Sequence, residues 1–136
     1  MQNRPSSLLP ICLLACLTTS AAYGQTTTDA QREALVIQAR QGALDTSIDG
    51  LKTLYHQTRD NRVREDLVAL LVRASRNQEA LAVCTWCQIE DYSDSELANL
   101  AGAARSAGDF DQALEMFRAL TYRDPSNAQG WIGQAL

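Results

Sequence analysis

The chain has 136 residues, a length typical of one domain, and 46% of them are hydrophobic, which is sufficient for a core. Only three prolines occur, which favours helical structure. The net charge of −4 argues against nucleic acid as a partner, since a nucleic-acid-binding domain carries a basic stripe.

Residues 1–24 have the pattern of a secretory signal peptide. Arg4 supplies a positive charge, an apolar run occupies residues 8–17, and small residues then predict cleavage just before Gln25. The apolar run is too short to span a bilayer. The pattern predicts export from the cytoplasm, with residues 25–136 as the mature domain.

Cys16 offers a second interpretation of the same segment. Leu13-Leu14-Ala15-Cys16 resembles the lipobox of bacterial lipoproteins, in which Cys16 is lipidated and becomes the first mature residue. In the alternative, Cys16 is an apolar member of the signal core. Both routes of processing stay open from the sequence.

Apolar residues then recur on a helical period in three units, at about residues 28–60, 61–93 and 94–127. A fourth unit begins at residues 128–136, with Trp131 in its first helix, and stops before a second helix. A solenoid that ended there would expose an apolar face, so we expect the array to continue in a longer protein. The alternative is that the short last helix acts as a cap.

The spacing of equivalent residues defines the units. Gly42 and Gly108 lie 66 residues apart, each at the turn between two helices, and Pro125 ends the third unit. The segment ALEMFRAL follows ALAVCTWC by 33 residues. The apolar face of the third unit consists of Leu97, Leu100, Ala101 and Ala104 on the first helix and Ala113, Leu114, Phe117 and Leu120 on the second.

The third unit resembles the tetratricopeptide repeat, a helix–turn–helix unit of about 34 residues. Leu100, Ala113, Phe117 and Pro125 stand at the Leu, Ala, Phe and Pro positions of that family. Leu97 and Ala104 stand where the family has Trp and Tyr, and Ala101 replaces its Gly. The resemblance implies an all-α fold, a superhelical solenoid of antiparallel helix pairs.

Two sequence patterns predict where helices begin. Thr28-x-x-Gln31 and Ser93-x-x-Glu96 have the spacing of a capping box, in which each side chain satisfies a free backbone N–H group of the other. These patterns place helix starts at the first and third units.

Cys84-Thr85-Trp86-Cys87 is the motif in this sequence that could take part in a chemical reaction or bind a metal. In an exported protein it could be a redox pair or half of a metal site. The repeat register places both cysteines in the middle of a helix, which favours small core residues instead. A disulfide between them stays open, although it would strain a regular helix.

The remaining titratable residues do not predict an active site. His56, the single histidine, lies at the exposed end of a predicted helix. Glu90, Asp91, Asp94 and Glu96 span a loop and a helix start, where acidic residues favour the helix dipole. We therefore expect no enzyme activity, no metal and no cofactor.

Binding is the function that the repeat pattern favours. Repeat arrays present a groove lined by the first helix of each unit, which suits an extended peptide or a polar polymer. The residues expected to face this groove are Gln31, Gln38, Arg64, Asn99 and Arg105.

Residues 36–42, VIQARQG, resemble the start of the periplasmic repeats in the outer-membrane poly-beta-1,6-N-acetyl-D-glucosamine export protein family. The resemblance covers about residues 30–136. It implies a periplasmic superhelix ahead of a C-terminal barrel. The superhelix would engage a polysaccharide deacetylase and help to guide partly deacetylated polymer to the barrel in biofilm export. Contact with the membrane would then come through that barrel or through a lipidated Cys16.

Two other functions stay open. A self-contained periplasmic or lipid-anchored adaptor for envelope protein assembly would also carry such repeats. A thiol oxidoreductase would use Cys84 and Cys87, and its activity would be lost in Cys84→Ser.

Overall fold

A computed structural model describes the backbone of residues 20–135 and the side chains of residues 27–135, and this part of the chain is all-helical. The predicted all-α class is confirmed. The helices are α1 (Ser20–Arg40), α2 (Leu44–Thr58), α3 (Asn61–Arg73), α4 (Asn77–Leu81), α5 (Asp94–Ala107), α6 (Phe110–Arg123) and α7 (Ala128–Gln134), with a 3₁₀ turn at Ile89–Asp91 between α4 and α5.

Each helix packs against the next one along the chain. In addition, α1 contacts α3, α3 contacts α5 and α5 contacts α7. Only two residues, Gly108 and Asp109, connect α5 to α6, and connections this short make successive helices fold back on one another. The odd-numbered helices therefore lie side by side, with the even-numbered helices packed against them.

Small residues on α5 allow close packing at the centre of the described chain. Ala101, Ala103 and Ala104 are fully buried, so neighbouring helices can approach the α5 backbone. Leu100 and Phe117 are 2% exposed and fill the space around these alanines. The apolar face predicted for the third unit thus forms the core except at Leu114, which is half-buried, and Met116 is buried in addition.

Backbone caps fix the ends of α5. Gly108 has a φ of 84°, and the N–H of Asp109 donates to the carbonyl of Ala104 at 2.9 Å. At the other end, the hydroxyl of Ser93 accepts from the N–H of Glu96 at 3.1 Å. The predicted helix start and the predicted glycine turn are confirmed, but the Glu96 carboxylate pairs with α3 rather than with the cap.

The predicted start of the first repeat helix is wrong. α1 begins at Ser20, so Thr28 lies inside the helix rather than at its cap. Residues 20–28 contain no proline and only one glycine, so nothing in them interrupts a helix. Cys16 and the rest of residues 1–19 lie outside the described residues.

No helix within the described residues is both long enough and apolar enough to cross a bilayer.

The predicted helical position of the two cysteines is also wrong. α4 ends at Leu81, and Cys84 and Cys87 lie in a turn, joined by a disulfide with their Cα atoms 5.5 Å apart. A bond between these positions competes with regular helix geometry, so the helical pattern of this segment is not realised. The chain leaves α4 early and reaches α5 through the 3₁₀ turn.

Candidate functional site

Arg64 on α3 lies at the centre of a buried polar cluster. Its Nε donates to Oε1 of Glu96 at 2.7 Å and its Nη2 donates to Oε2 at 3.0 Å, which makes a bidentate ion pair. Nη2 also donates to the carbonyl of Asp91 at 2.7 Å, and Nη1 donates to Sγ of Cys87 at 3.1 Å. These bonds tie α3 to the start of α5 and to the segment before it.

Both charges of this pair are shielded from water. The side chains of Arg64 and Glu96 are 4% and 1% exposed. Burial raises the pKa of the Glu96 carboxyl above its ordinary value, although the hydrogen bonds and charge of Arg64 oppose the increase. Burial alone would lower the pKa of Arg64, but the hydrogen bonds and charge of Glu96 raise it overall.

Arg64 was expected to face an open groove, and this expectation is corrected. Its guanidinium carbon lies 5.0 Å from the centroid of the Tyr92 ring, and Glu96, 32 residues away, neutralises its charge. A buried guanidinium needs such a partner, and the partner is supplied by another helix. Arg64 therefore holds the fold together and is not available to a ligand.

Arg123, in the last turn of α6, holds the same connecting segment from the other side. Its Nη2 donates to the carbonyl of Ile89 at 2.7 Å. Its Nη1 donates to the carbonyl of Tyr92 at 2.8 Å and to Oδ1 of Asp94 at 2.9 Å. Two arginines from different helices thus fix the path between α4 and α5.

The other four groove candidates lie at or near the surface. Gln31 and Gln38 on α1 are exposed, whereas Asn99 on α5 is half-buried. Arg105 is exposed, and its guanidinium carbon lies 6.0 Å from the centroid of the Phe117 ring. These residues belong to α1 and α5, two of the helices that lie side by side.

Arg105 also borders a shallow cleft of about 250 Å³ between α5 and α7. Gln129 and Ile132 contribute from α7, and Gly102 contributes from α5. Ile132 is 69% exposed, so the far wall of this cleft is apolar and open to solvent. Arg105 is thus a predicted site residue that lines a cleft.

A larger cleft, which we call the notch, lies between α2 and the segment that follows α4. It is open and has a volume of about 450 Å³. The notch is present because α4 has only five residues and α2 has fifteen, so the last turns of α2 extend beyond the end of α4. The residues that line the notch are Lys52, Tyr55, His56, Arg59, Leu67, Glu79, Ala82, Val83 and Trp86.

Glu79 is the acidic residue of the notch, and its charge is already matched. Nζ of Lys52 donates to Oε2 of Glu79 at 2.6 Å, and Nε of Arg76 donates to Oε1 at 2.6 Å. The Arg76 and Lys52 hydrogen bonds lower the pKa of Glu79 from its ordinary value of 4.5 to about 2. This carboxylate therefore stays ionised throughout the physiological range.

The notch was not predicted from the sequence, although one signal for it was present. Lys52, Tyr55, His56 and Arg59 have the i, i+3, i+4, i+7 spacing of a single helical face. His56 was expected at an exposed helix end, and it is exposed on this face. The contribution of Trp86 could not be predicted, because the repeat register placed it within a helix.

Neither surface has the composition of a metal centre. Within the described residues, no group of three or more His, Cys, Asp or Glu side chains could hold a metal ion. No protein-family model matches this chain, and no curated protein matches it significantly.

Proposed function

We propose that this chain is a non-catalytic binding scaffold in which helix pairs stack in the manner of a tetratricopeptide superhelix. The observation that carries the proposal is the contact of α1 with α3, of α3 with α5 and of α5 with α7. Helices in this order present their outward side chains as one continuous surface, which suits an extended partner.

The polar side chains of this surface fit a hydrated polymer or an extended peptide. Gln31 and Gln38 expose amide groups, which can both donate and accept hydrogen bonds. Arg105 adds donors beside a cleft that also contains the apolar side chain of Ile132. Each contact is weak, so affinity would come from many contacts along the length of the partner.

We further propose that the scaffold acts in the periplasm in export of partly deacetylated poly-N-acetylglucosamine, with a polysaccharide deacetylase as protein partner. Two features support this role. Residues 36–42 resemble the start of the repeats in the exporter family. The net charge of −4 favours a polymer that carries free amines.

A periplasmic or lipid-anchored adaptor for envelope protein assembly is the second candidate. The notch on α2 and α4 favours it, because an adaptor needs a second surface apart from its first. In that case the first-helix surface would bind protein rather than polysaccharide.

Titration of the isotope-labelled 136-residue chain with oligosaccharides tests the polymer proposal. We expect partly deacetylated poly-N-acetylglucosamine oligomers to shift amide NMR signals on α1, α3 and α5, with smaller shifts from fully acetylated oligomers. Gln38→Ala should weaken binding, whereas Gln57→Ala, at an exposed site on α2, should not. Shifts confined to other helices, or no shifts at millimolar oligomer, would reject polymer binding.

The native protein distinguishes the exporter from the adaptor. Intact mass and N-terminal analysis of the envelope fraction would yield, for the exporter, a polypeptide several times longer than 136 residues that starts at Gln25. A species of about 136 residues or slightly fewer would instead support the adaptor. A lipid on Cys16 would place that species at the membrane surface.

A further inference from the structure

The notch exposes an aromatic wall that the fold itself does not cover. Trp86 is 60% exposed, although an indole ring this accessible is uncommon in a folded domain. Its position is fixed by its neighbours, because Cys84 and Cys87 form a disulfide on either side of it. Leu67 and Val83 extend the apolar surface into the floor of the notch.

Arg59 places an unpaired cation against this wall. Its guanidinium carbon lies 5.0 Å from the centroid of the Trp86 ring and 5.6 Å from that of Tyr55. Among the described residues, no carboxylate pairs with Arg59 and no acceptor receives a hydrogen bond from its side chain. The rings hold the guanidinium in place while its N–H groups remain available to a ligand.

The charge balance of the notch favours an anionic ligand. Lys52 and Arg59 contribute positive charge to the lining, and His56 adds a third basic group to the same face of α2. Glu79 is the acidic residue of the lining, and it is shared between Lys52 and Arg76. A ligand with free amines would be repelled here, so the notch differs from the first-helix surface in the chemistry that it accepts.

We propose that the notch is a binding site for a segment of a partner protein in which a carboxylate lies next to an aromatic side chain. The carboxylate pairs with Arg59, and the aromatic ring packs between Trp86 and the apolar floor. Both parts are needed, because an exposed ion pair alone contributes little and a small apolar contact alone is weak. This site is independent of polymer binding by the odd-numbered helices.

A short peptide tests the proposal directly. The probe is acetyl-Gly-Asp-Phe-Asp-Gly-amide, and the control peptide has Asn in place of both Asp residues. Trp131→Phe leaves Trp86 as the single tryptophan, since the chain contains two, so fluorescence then reports on the notch. We expect the probe to change the Trp86 emission saturably, and the Asn peptide to bind about fivefold more weakly.

Variants of Arg59 separate charge from fold. Arg59→Gln should weaken binding of the probe about fivefold, and Arg59→Lys should retain most of the affinity because it keeps the charge. Arg118→Gln is the matched control, since Arg118 is an exposed arginine outside the notch. Circular dichroism verifies that each variant keeps its helical content. Higher salt should weaken binding of the probe but not binding of the Asn peptide.

Three results would overturn the proposal. The first is equal binding of the probe to the parent chain and to Arg59→Gln. The second is quenching of Trp86 by N-acetylglucosamine oligomers with no response to the acidic peptide, which would make the notch a sugar site. The third is self-association of the parent chain in sedimentation experiments, abolished by Arg59→Gln, together with no binding of the probe. This result would assign the notch to a second copy of the chain.

Discussion

Arg64 and Glu96 form a bidentate ion pair that joins α3 to the first turn of α5, with bonds of 2.7 and 3.0 Å. The two residues are 32 positions apart, so the pair connects two helices that α4 separates along the chain. Because both side chains are almost completely buried, neither charge can turn to water if its partner is removed.

Glu96→Gln should therefore lower the free energy of unfolding by about 3–5 kcal/mol, since it leaves the Arg64 cation buried without a counter-charge. Urea denaturation followed by circular dichroism measures the change. Glu115→Gln, on the exposed surface of α6, is the control and should change stability by less than about 0.5 kcal/mol. Equal stability of the two variants would contradict a structural role for the pair.

Replacing both partners should cost less than the two single changes added together. In Arg64→Leu with Glu96→Leu no buried charge remains, and the apolar side chains occupy similar space. A double-mutant cycle from the same denaturation experiments yields the coupling energy. Additive effects would show that the two side chains do not act as a pair.

Arg123→Met should loosen the segment between α4 and α5. The change removes hydrogen bonds to the carbonyls of Ile89 and Tyr92 and to the Asp94 carboxylate, at a cost of about 1–2 kcal/mol. Hydrogen exchange should become faster at residues 82–93 and stay unchanged in α1. In Arg118→Met, the control on the same helix, exchange of residues 82–93 should match the parent protein.

Gly133→Ala should displace α7 from the helical layer. A Cβ atom at this position would lie 2.3 Å from the ring of Phe117, which is itself buried, so the cost is about 1–3 kcal/mol. Gly102→Ala is the matched control, because nothing lies within 4 Å of its Cβ and alanine favours the interior of α5. Faster hydrogen exchange of α7 in Gly133→Ala, but not in Gly102→Ala, is the expected result.

The ion pairs of Glu79 predict a measurable pH dependence. Its pKa is about 2 in the folded protein and 4.5 without these partners, so its contribution to stability is present above pH 4.5. That contribution is lost as the pH falls through about 2. NMR titration of the Glu79 carboxyl measures the pKa, and Arg76→Met should move it back towards 4.5. An unchanged pKa in Arg76→Met would show that this bond is not the cause.

Local patterns in the sequence predicted most of the individual helices. The glycine turn at Gly108 and the cap at Ser93 were correct, and so were the apolar faces of α5 and α6 apart from Leu114, because each depends on neighbours in the chain. The start of α1 was missed since Thr28 has the spacing of a cap but follows residues that are also compatible with helix. The groove-facing role of Gln31 and Gln38 remains a prediction.

The turn at Cys84 and Cys87 could not be predicted from the spacing of residues along the chain. The repeat register of residues 80–87 predicts helix, and a disulfide between Cys84 and Cys87 replaces it with a turn. Cysteine spacing leaves both outcomes open, and the register favoured the wrong one. Trp86, which the register placed in a helix, consequently lies in the wall of the notch.

The sequence by itself determined the helical class, the turns and the apolar faces, since helix propensity, capping and periodicity act within a few residues. Only the tertiary structure decided which polar groups are paired and which are free. Arg64 and Arg59 are both arginines beside a helix terminus, yet one is buried against Glu96 and the other has no carboxylate partner among the described residues. The difference depends on what another helix places next to each guanidinium, and burial makes that pairing obligatory only for Arg64.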